Sequence, residues 1–238
     1  MRLRLLDWLY PRKCPGCGAS SDRDGRHWCW SCFRKIALFP QQGGCDCCGQ
    51  RTEGDVTHRF ICGACLARRP HFDQARAAAD FTSTLREQVL AFKYQGALWM
   101  RQDLCDVLEG ALNAHFRPAE IDVVVPVPLH RLRQRARSFN QSALLAETLA
   151  KRIDRRCDTQ SLARIRETGQ QTKLNAARRW ENIAGAFEVK RPEWVAQRRI
   201  LLVDDVMTTG ATLDECARVL KRAGAHTVWA VTLARRKS

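Results

Sequence analysis

Two adjacent acids and a run of small hydroxyl-bearing residues stand together near the carboxyl end of the chain. The apolar run 200–203 leads into the acids, and the segment 208–212 reads Thr-Thr-Gly-Ala-Thr. Small residues let a backbone wrap closely around a phosphate, and threonine hydroxyls add hydrogen bonds. Carboxylates beside that phosphate would repel it unless they accept hydrogen bonds from sugar hydroxyls or help to hold Mg²⁺. The segment therefore predicts a sugar-phosphate site, with these candidate ligand-binding residues: Asp204, Asp205, Thr208, Thr209, Gly210, Ala211 and Thr212.

The elements around these residues form a strand, a loop and a helix. The apolar run predicts a buried parallel strand that stops at the two acids, and apolar residues then recur at helical spacing from Leu213 to Gly224. Ligands of open α/β sheets bind at such strand ends, near helix N-termini. The simpler interpretation makes Thr212 and Glu215 a capping box and leaves the acids solvated. The dense pattern favours binding, and it resembles the phosphoribosyl pyrophosphate signature of type I phosphoribosyltransferases.

A second strand, followed by a basic connector, is predicted upstream. Residues 121–128 read as a buried strand ended by prolines, and the connector 129–141 carries four arginines, among them Arg133 and Arg137. Because this connector leaves a strand end of the same sheet, its guanidinium groups are expected to face the pyrophosphate. The alternative is a capping box formed by Ser138 and Gln141, with the arginines on a solvated face.

The segment 164–187 has little apolar periodicity and few acids. A mobile basic lid there would exclude water and bring guanidinium groups to the departing pyrophosphate, and a plain surface loop is the alternative. The candidate catalytic residues of this lid are Arg164, Arg166 and Arg178.

The cysteines form an internal repeat of two Cys-x-x-Cys pairs per half. Four thiolates complete a closed tetrahedral Zn²⁺ shell, so each half predicts a structural zinc site, up to two in all. Sequential pairing of the halves is preferred over cross-bracing, and Cys47 competes with its neighbour as a ligand. The predicted zinc ligands are Cys14, Cys17, Cys29, Cys32, Cys45, Cys48, Cys62 and Cys65.

Composition narrows the class of protein. Without a predicted export or membrane-spanning segment, twelve cysteines are expected to stay reduced in the cytoplasm, which argues against a disulfide scaffold. Forty basic against twenty-five acidic side chains give a formal net charge of +15. This excess indicates either a polyanionic partner, a phosphorylated small molecule or a nucleic acid, or no more than solubility.

The motifs together resemble the ComF/GntX family over nearly the whole chain. Besides the cysteines and the segment 203–212, they include Lys93-Tyr94 and Phe139-Asn140-Gln141, although the family usually has glycine where this chain has Ser138. The resemblance implies an α/β fold with a type I phosphoribosyltransferase-like parallel sheet (71–238), helices on both faces, and a preceding double zinc-binding module with four cysteines per site (1–70). It also implies that Asp204 and Asp205 bind ribose hydroxyls, that 208–212 bind the 5′-phosphate, and that Asn140 belongs to the binding site.

Two functions remain open at this stage. In the first, Mg²⁺-bound phosphoribosyl pyrophosphate reacts with an unknown acceptor, and arginines and Mg²⁺ stabilise the leaving pyrophosphate. In the second, the sugar phosphate is a regulatory ligand of a protein that binds single-stranded DNA without catalysis. The family's best-known members take part in DNA uptake during natural transformation. The resemblance therefore also implies single-stranded DNA and the competence machinery at the inner membrane as partners.

Overall fold

A computed structural model describes residues 12–36, 38–39, 43–52, 58–168 and 176–236, with the backbone alone at Ser83 and 176–179. The strands are β1 (Gln74–Asp80), β2 (Val123–Pro126), β3 (Arg156–Cys157), β4 (Leu162–Arg164), β5 (Phe187–Val189), β6 (Arg199–Met207) and β7 (Thr227–Arg235). The helices are α1 (Trp30–Arg34), α2 (Gly63–Ala67), α3 (Ser83–Tyr94), α4 (Arg101–His115), α5 (Arg131–Arg137), α6 (Gln141–Arg152), α7 (Ala176–Ile183) and α8 (Ala211–Arg222).

The central sheet has five strands in the order β1-β7-β6-β2-β3, and every neighbouring pair is parallel. Strands β4 and β5 form a separate antiparallel pair. The predicted fold class, a parallel α/β sheet preceded by a cysteine-rich module, is confirmed.

Both faces of the sheet are covered, because successive side chains of a strand point to opposite faces. Leu201 and Val203 of β6 pack with α3, α4 and α6, whereas Ile200 and Leu202 pack with α7, α8 and the β4–β5 pair. A continuous apolar run therefore fills two cores at once. This is why 200–203 predicts a buried strand without alternation.

Strand β6 is longer than the sequence predicts. It does not stop at the acids but continues through Asp204 and Asp205 to Met207. The extension pairs only with β7, because β2 ends where Pro126 pairs with Val203. The prediction was wrong because β7 supplies hydrogen-bonding partners beyond the apolar run.

The two cysteine clusters lie on opposite faces of the sheet beside the edge strand β1. Cysteines 14, 29 and 32 belong to the core that contains α3 and α4, and cysteines 45, 48, 62 and 65 belong to the core that contains α8. The chain between the clusters passes the outer edge of β1, where the amide of Phe39 donates to the carbonyl of Ala78 over 2.7 Å.

Candidate functional site

The eight predicted zinc ligands form two clusters, 14/17/29/32 and 45/48/62/65, and within each cluster the sulfur atoms all lie within 4.8 Å of one another. The Sγ–Sγ distance is 3.7 Å both for Cys17–Cys29 and for Cys48–Cys62. A tetrahedral Zn²⁺ ion with Zn–S bonds of ~2.3 Å separates its sulfur ligands by ~3.8 Å, so both clusters have the geometry of a structural zinc site. Sequential pairing of the halves is thereby confirmed, and Cys47 belongs to neither cluster.

Both halves of the repeat fold in the same way. A glycine in the left-handed region follows each first pair, Gly18 with φ 75° and Gly49 with φ 68°, and its amide donates to the carbonyl of the first cysteine over 2.8 Å. The amide of Cys29 donates to the Cys14 sulfur over 3.4 Å, and the amide of Cys62 donates to the Cys45 sulfur over 3.3 Å. Amides directed at sulfur favour the thiolate form that binds metal.

Asp204 and Asp205 lie where β6 extends past the end of β2, so β2 provides no strand partner beside them. The Asp204 carboxylate accepts from the Ser142 hydroxyl over 2.8 Å and from the Asp205 amide over 2.9 Å. Asp205 Oδ2 lies 2.7 Å from Lys93 Nζ. A sequence-predicted acid pair is therefore held by one residue of α6 and one of α3.

The Asp204 carboxyl is enclosed by protein, although the residue keeps some surface open to solvent. This burial, together with the neighbouring charge of Asp205, raises the pKa of Asp204 to about 7. Two close carboxylates that are out of bulk water resist being ionised together. An approaching cation or hydroxyl donor would favour the ionised pair.

The loop after the acids leads directly into α8. Gly210 has φ 82° and is the N-cap of α8, where it provides no side chain to the first amides of the helix. The alternative interpretation, a capping box of Thr212 and Glu215, does not hold, because the Glu215 carboxylate accepts from the Gly185 amide over 2.7 Å and pairs with Arg218. The loop thus combines a left-handed glycine with the positive end of a three-turn helix, an arrangement that suits a phosphate.

Arg133 and Arg164 meet at the end of β4. Arg133 donates to the carbonyl of Thr168 over 2.6 Å, and Arg164 donates to the hydroxyl of the same residue. Burial and the nearby charge of Arg133 lower the pKa of Arg164, whereas the charge of Asp204 raises it. Arg164 Nε is buried and has no hydrogen-bonding partner among the described residues. Two adjacent guanidinium groups form an electropositive region near the Asp204 carboxyl.

The other predicted binding residues make contacts within the protein. Arg137 donates to Gln141 over 3.0 Å and lies 4.6 Å above the Tyr94 ring. Asn140 is the N-cap of α6: its side chain accepts from the Ser142 amide over 3.0 Å and donates to the carbonyl of Val127. The alternative interpretation, a capping box of Ser138 and Gln141, therefore does not hold. Ser138 instead ends α5 in the left-handed region with φ 65°.

The predicted lid arginines differ in their positions. Arg166 is exposed and donates to the carbonyls of Asn182 and Ala184 over 3.0 and 2.6 Å, whereas Arg164 is buried. The backbone of Arg178 belongs to α7, but its side chain lies outside the described residues.

Sequence reasoning did not assign Lys93 or Ser142 to the site. Each belongs to a helix whose apolar spacing indicates only core packing, and neither is near Asp204 in the chain. The Lys93-Tyr94 motif was the one available signal, and it gave the residue no role. Only the packing of α3 and α6 against β6 brings these side chains to the two acids.

The sheet, the acid pair at its edge and the two tetrathiolate clusters define a double zinc ribbon joined to a phosphoribosyltransferase-type domain. Two family models agree: "Double zinc ribbon domain" matches residues 5–66, and "Phosphoribosyl transferase domain" matches residues 140–238.

Curated relatives cover most of the chain. Competence protein F of Haemophilus influenzae is 31% identical over 212 residues, which are 87% of this chain and 90% of that protein. DNA utilization protein YhgH of Escherichia coli K12 is 32% identical over 216 residues, 84% of this chain and 93% of that protein. Competence protein ComFC of Bacillus subtilis is 28% identical over 87% of this chain and 83% of that protein. The chain belongs to the ComF family.

The described residues include no helix with the length and apolar character that a membrane crossing requires.

Proposed function

We propose that this protein binds Mg²⁺-phosphoribosyl pyrophosphate at the carboxyl edge of its sheet. One observation carries the proposal: β6 extends its two acids past the end of β2 and passes directly into a glycine turn at the start of α8. In this arrangement the 5′-phosphate binds to the loop 208–212, and the ribose hydroxyls donate to Asp204 and Asp205. Mg²⁺ accompanies the ligand and supplies charge neutralisation at the pyrophosphate.

The electropositive pair Arg133 and Arg164 supports the position of the pyrophosphate. Two like charges that both bond to Thr168 are stabilised by an anion between them. The unpartnered Arg164 Nε provides one more donor. Outside this pair, Arg131 and Arg135 line a surface cavity of about 390 Å³ with Gln134 and Ser138.

A phosphoribosyl transfer to an acceptor would follow if the bound pyrophosphate leaves. In that reaction the C1′–O bond to pyrophosphate breaks, and the acceptor forms a new bond to C1′. The chain's own contribution is electrostatic: Arg164, Arg166 and Arg178 are the proposed catalytic residues that stabilise the leaving group. Pyrophosphate release that requires Mg²⁺ and an acceptor is the corresponding assay.

The names of the relatives, competence protein and DNA utilization protein, support a role in DNA uptake or use. The second candidate function is non-catalytic binding of single-stranded DNA, with the sugar phosphate as a regulatory ligand. The exposed Trp30 favours it, because its ring is 46% exposed and the Arg23 guanidinium lies 5.0 Å above it. Trp28, in contrast, is completely buried, so it belongs to the core.

Calorimetric titration with phosphoribosyl pyrophosphate and Mg²⁺ tests the binding proposal. The double variant Asp204→Ala/Asp205→Ala is expected to bind roughly 100-fold more weakly, because it loses two charge-assisted hydrogen-bond acceptors. The matched control Glu188→Ala/Glu193→Ala removes the same charge from exposed positions and should bind normally. The proposal fails if the wild type takes up no ligand, or if both double variants bind equally well.

Filter binding of a single-stranded oligonucleotide separates the two functions. Binding that weakens with salt and with Trp30→Ala, without any acceptor-dependent pyrophosphate release, would favour the non-catalytic function. Acceptor-dependent release that Trp30→Ala leaves unchanged would favour the transferase.

A further inference from the structure

The second zinc ribbon, which holds the cluster 45/48/62/65, contacts the segment that carries the loop 208–212. We propose that Arg235 is a positioning residue that couples this ribbon to the loop, so that the zinc site sets the order of the proposed phosphate-binding segment. The consequence for ligand affinity rests on the proposed function, whereas the coupling itself does not.

The first contact joins Arg235 to the zinc-binding turn. Arg235 is the last residue of β7, and its Nη1 donates to the carbonyl of Cys48 over 2.7 Å. Its Nη2 lies 3.5 Å from the side-chain oxygen of Gln50, just beyond the same turn. Displacement of the Cys48 turn therefore withdraws both acceptors from one guanidinium.

The second contact joins Arg235 to the end of β6. Arg235 is the register partner of Met207, and its Nη1 lies 3.7 Å from the Met207 sulfur. The amide of Arg236 donates to the carbonyl of Met207 over 2.9 Å. Met207 is the residue immediately before the loop, so a guanidinium that holds it also fixes the point where the loop begins.

The third contact joins Met207 to the centre of the loop. A Cβ atom added to Gly210 would lie 2.9 Å from the methyl carbon of Met207 and 3.8 Å from the ring of Phe72. The side chains of Met207 and Phe72 therefore pack directly against the left-handed turn at Gly210. Any movement of Met207 opens space beneath Gly210.

The chain that leaves the second ribbon makes a separate contact with α8. The His71 amide donates to the Asp214 carboxylate over 2.5 Å, and the His71 ring nitrogen Nδ1 lies 3.0 Å from the same oxygen. Asp214 is buried in the first turn of α8. The ribbon thus borders the loop on both sides, through Arg235 before it and through His71 after it.

Metal binding explains why the second ribbon can position Arg235. Four thiolates around one zinc ion hold the Cys48 turn in a single arrangement. Arg76 donates to the carbonyl of Asp46 over 3.1 Å, so two guanidinium groups face this turn. Loss of the metal releases the turn whose carbonyls both of them bind.

Hydrogen exchange of the full-length zinc-loaded protein tests the coupling. Arg235→Ala keeps all eight cysteines, so it should retain two zinc ions per chain, while peptides that span 206–213 exchange about tenfold faster. Arg235→Lys should restore part of the protection, because an ammonium reaches one acceptor but lacks the planar fork. Zinc content is measured on every sample.

Arg199→Ala is the matched control. It removes an arginine from the opposite end of β6, where Arg199 pairs with Asp122 over 2.8 Å, and it should leave exchange in 206–213 unchanged. Unchanged exchange in Arg235→Ala, or the same increase in Arg199→Ala, would overturn the proposal.

Titration of the same variants with phosphoribosyl pyrophosphate and Mg²⁺ forms the second arm. Arg235→Ala is expected to bind about tenfold more weakly than the wild type. If the wild type binds no ligand, the proposed function fails, and the exchange arm still decides the coupling. If the wild type binds and Arg235→Ala binds equally well despite faster exchange, the consequence for affinity is refuted.

Discussion

The two zinc ribbons have the same Cys-x-x-Cys pairs and the same turn geometry, but they are attached to different parts of the molecule. The first ribbon, which holds the cluster 14/17/29/32, packs on the face of α3 and α4, where Asp103 accepts from Arg23 over 3.1 Å and from the amides of His27 and Trp28. The second ribbon bonds to β1 and to the end of β7. The repeated cysteine motif therefore determines the local structure of each ribbon. The part of the domain that each ribbon contacts determines which part of the candidate site it can stabilise.

The two ribbons contact elements that belong to different halves of the candidate site. The first ribbon lies against Thr84 of α3, and Lys93 of the same helix pairs with Asp205. The second lies beside the loop 208–212. We therefore expect damage to the first ribbon to affect the acids and damage to the second to affect the loop 208–212.

Loss of one zinc site is expected to have the largest effect. Cys17→Ser and Cys48→Ser change equivalent ligands of the two halves, and each should lower the zinc content to one ion per chain. A structural zinc site contributes on the order of 10 kcal/mol to folding of its ribbon, so that ribbon should unfold locally. Exchange should increase in α3 and α4 for Cys17→Ser, and in 206–213 for Cys48→Ser. The same pattern in both variants would refute the comparison.

Asp103→Ala is expected to have the next largest effect, and it concerns the first ribbon alone. It leaves the buried Trp28 amide and the partly buried His27 amide without their acceptor and leaves Arg23 paired with Asp106, which costs about 3 kcal/mol in the free energy of unfolding. Denaturant unfolding measures this cost. Glu188→Ala breaks an exposed ion pair with Lys190 and should cost less than about 1 kcal/mol. Equal costs would mean that the Asp103 network does not anchor the ribbon.

Asp204→Asn tests the acid pair, the half of the candidate site that α3 of the first ribbon's face contacts. Burial and the charge of Asp205 raise the pKa of Asp204 to about 7, so in the folded protein its ionised form is disfavoured. The folded state then binds more protons than the unfolded state between about pH 4 and pH 7, and the wild type loses stability as the pH rises through that window. Asp204→Asn should therefore raise the melting temperature more at pH 8 than at pH 5.

Asp122→Asn is the control of opposite sign. The hydrogen bond from Arg199 lowers the pKa of Asp122, so its stabilisation is present above about pH 4 and is lost as the pH falls below that value. Asp122→Asn should lower the melting temperature at pH 8. A pH-independent effect of Asp204→Asn would contradict the raised pKa.

Ser138→Gly should have the smallest effect, because it concerns α5, which is not part of the attachment of either ribbon. The left-handed backbone of Ser138 costs about 1 kcal/mol for a residue with a Cβ atom, and the added flexibility of glycine offsets part of the gain. A net stabilisation of about 0.5 kcal/mol by denaturant unfolding is expected. Ser138→Ala keeps the Cβ atom and should give no gain.

Local patterns predicted much of the fold and part of the site. The eight cysteines, the apolar run before the acids and the helices were recoverable, because ligand spacing and apolar periodicity depend on neighbours in the chain. The two capping boxes that the local patterns offered as alternatives do not form, and the reason is common to both. Glu215 accepts from the Gly185 amide, and Asn140 is the N-cap of α6. In both cases a residue outside the capping-box pattern provides the hydrogen bond.

The sequence by itself determined which cysteines form the two clusters and where two acids precede a run of small hydroxyl-bearing residues, since these features need only chain neighbours and chemical type. Tertiary structure alone decided that β6 extends past β2, that Lys93 and Ser142 hold the acids, and that the ribbons lie on opposite faces. Such contacts join residues that are distant in the chain. They form only where helices pack on both faces of the sheet.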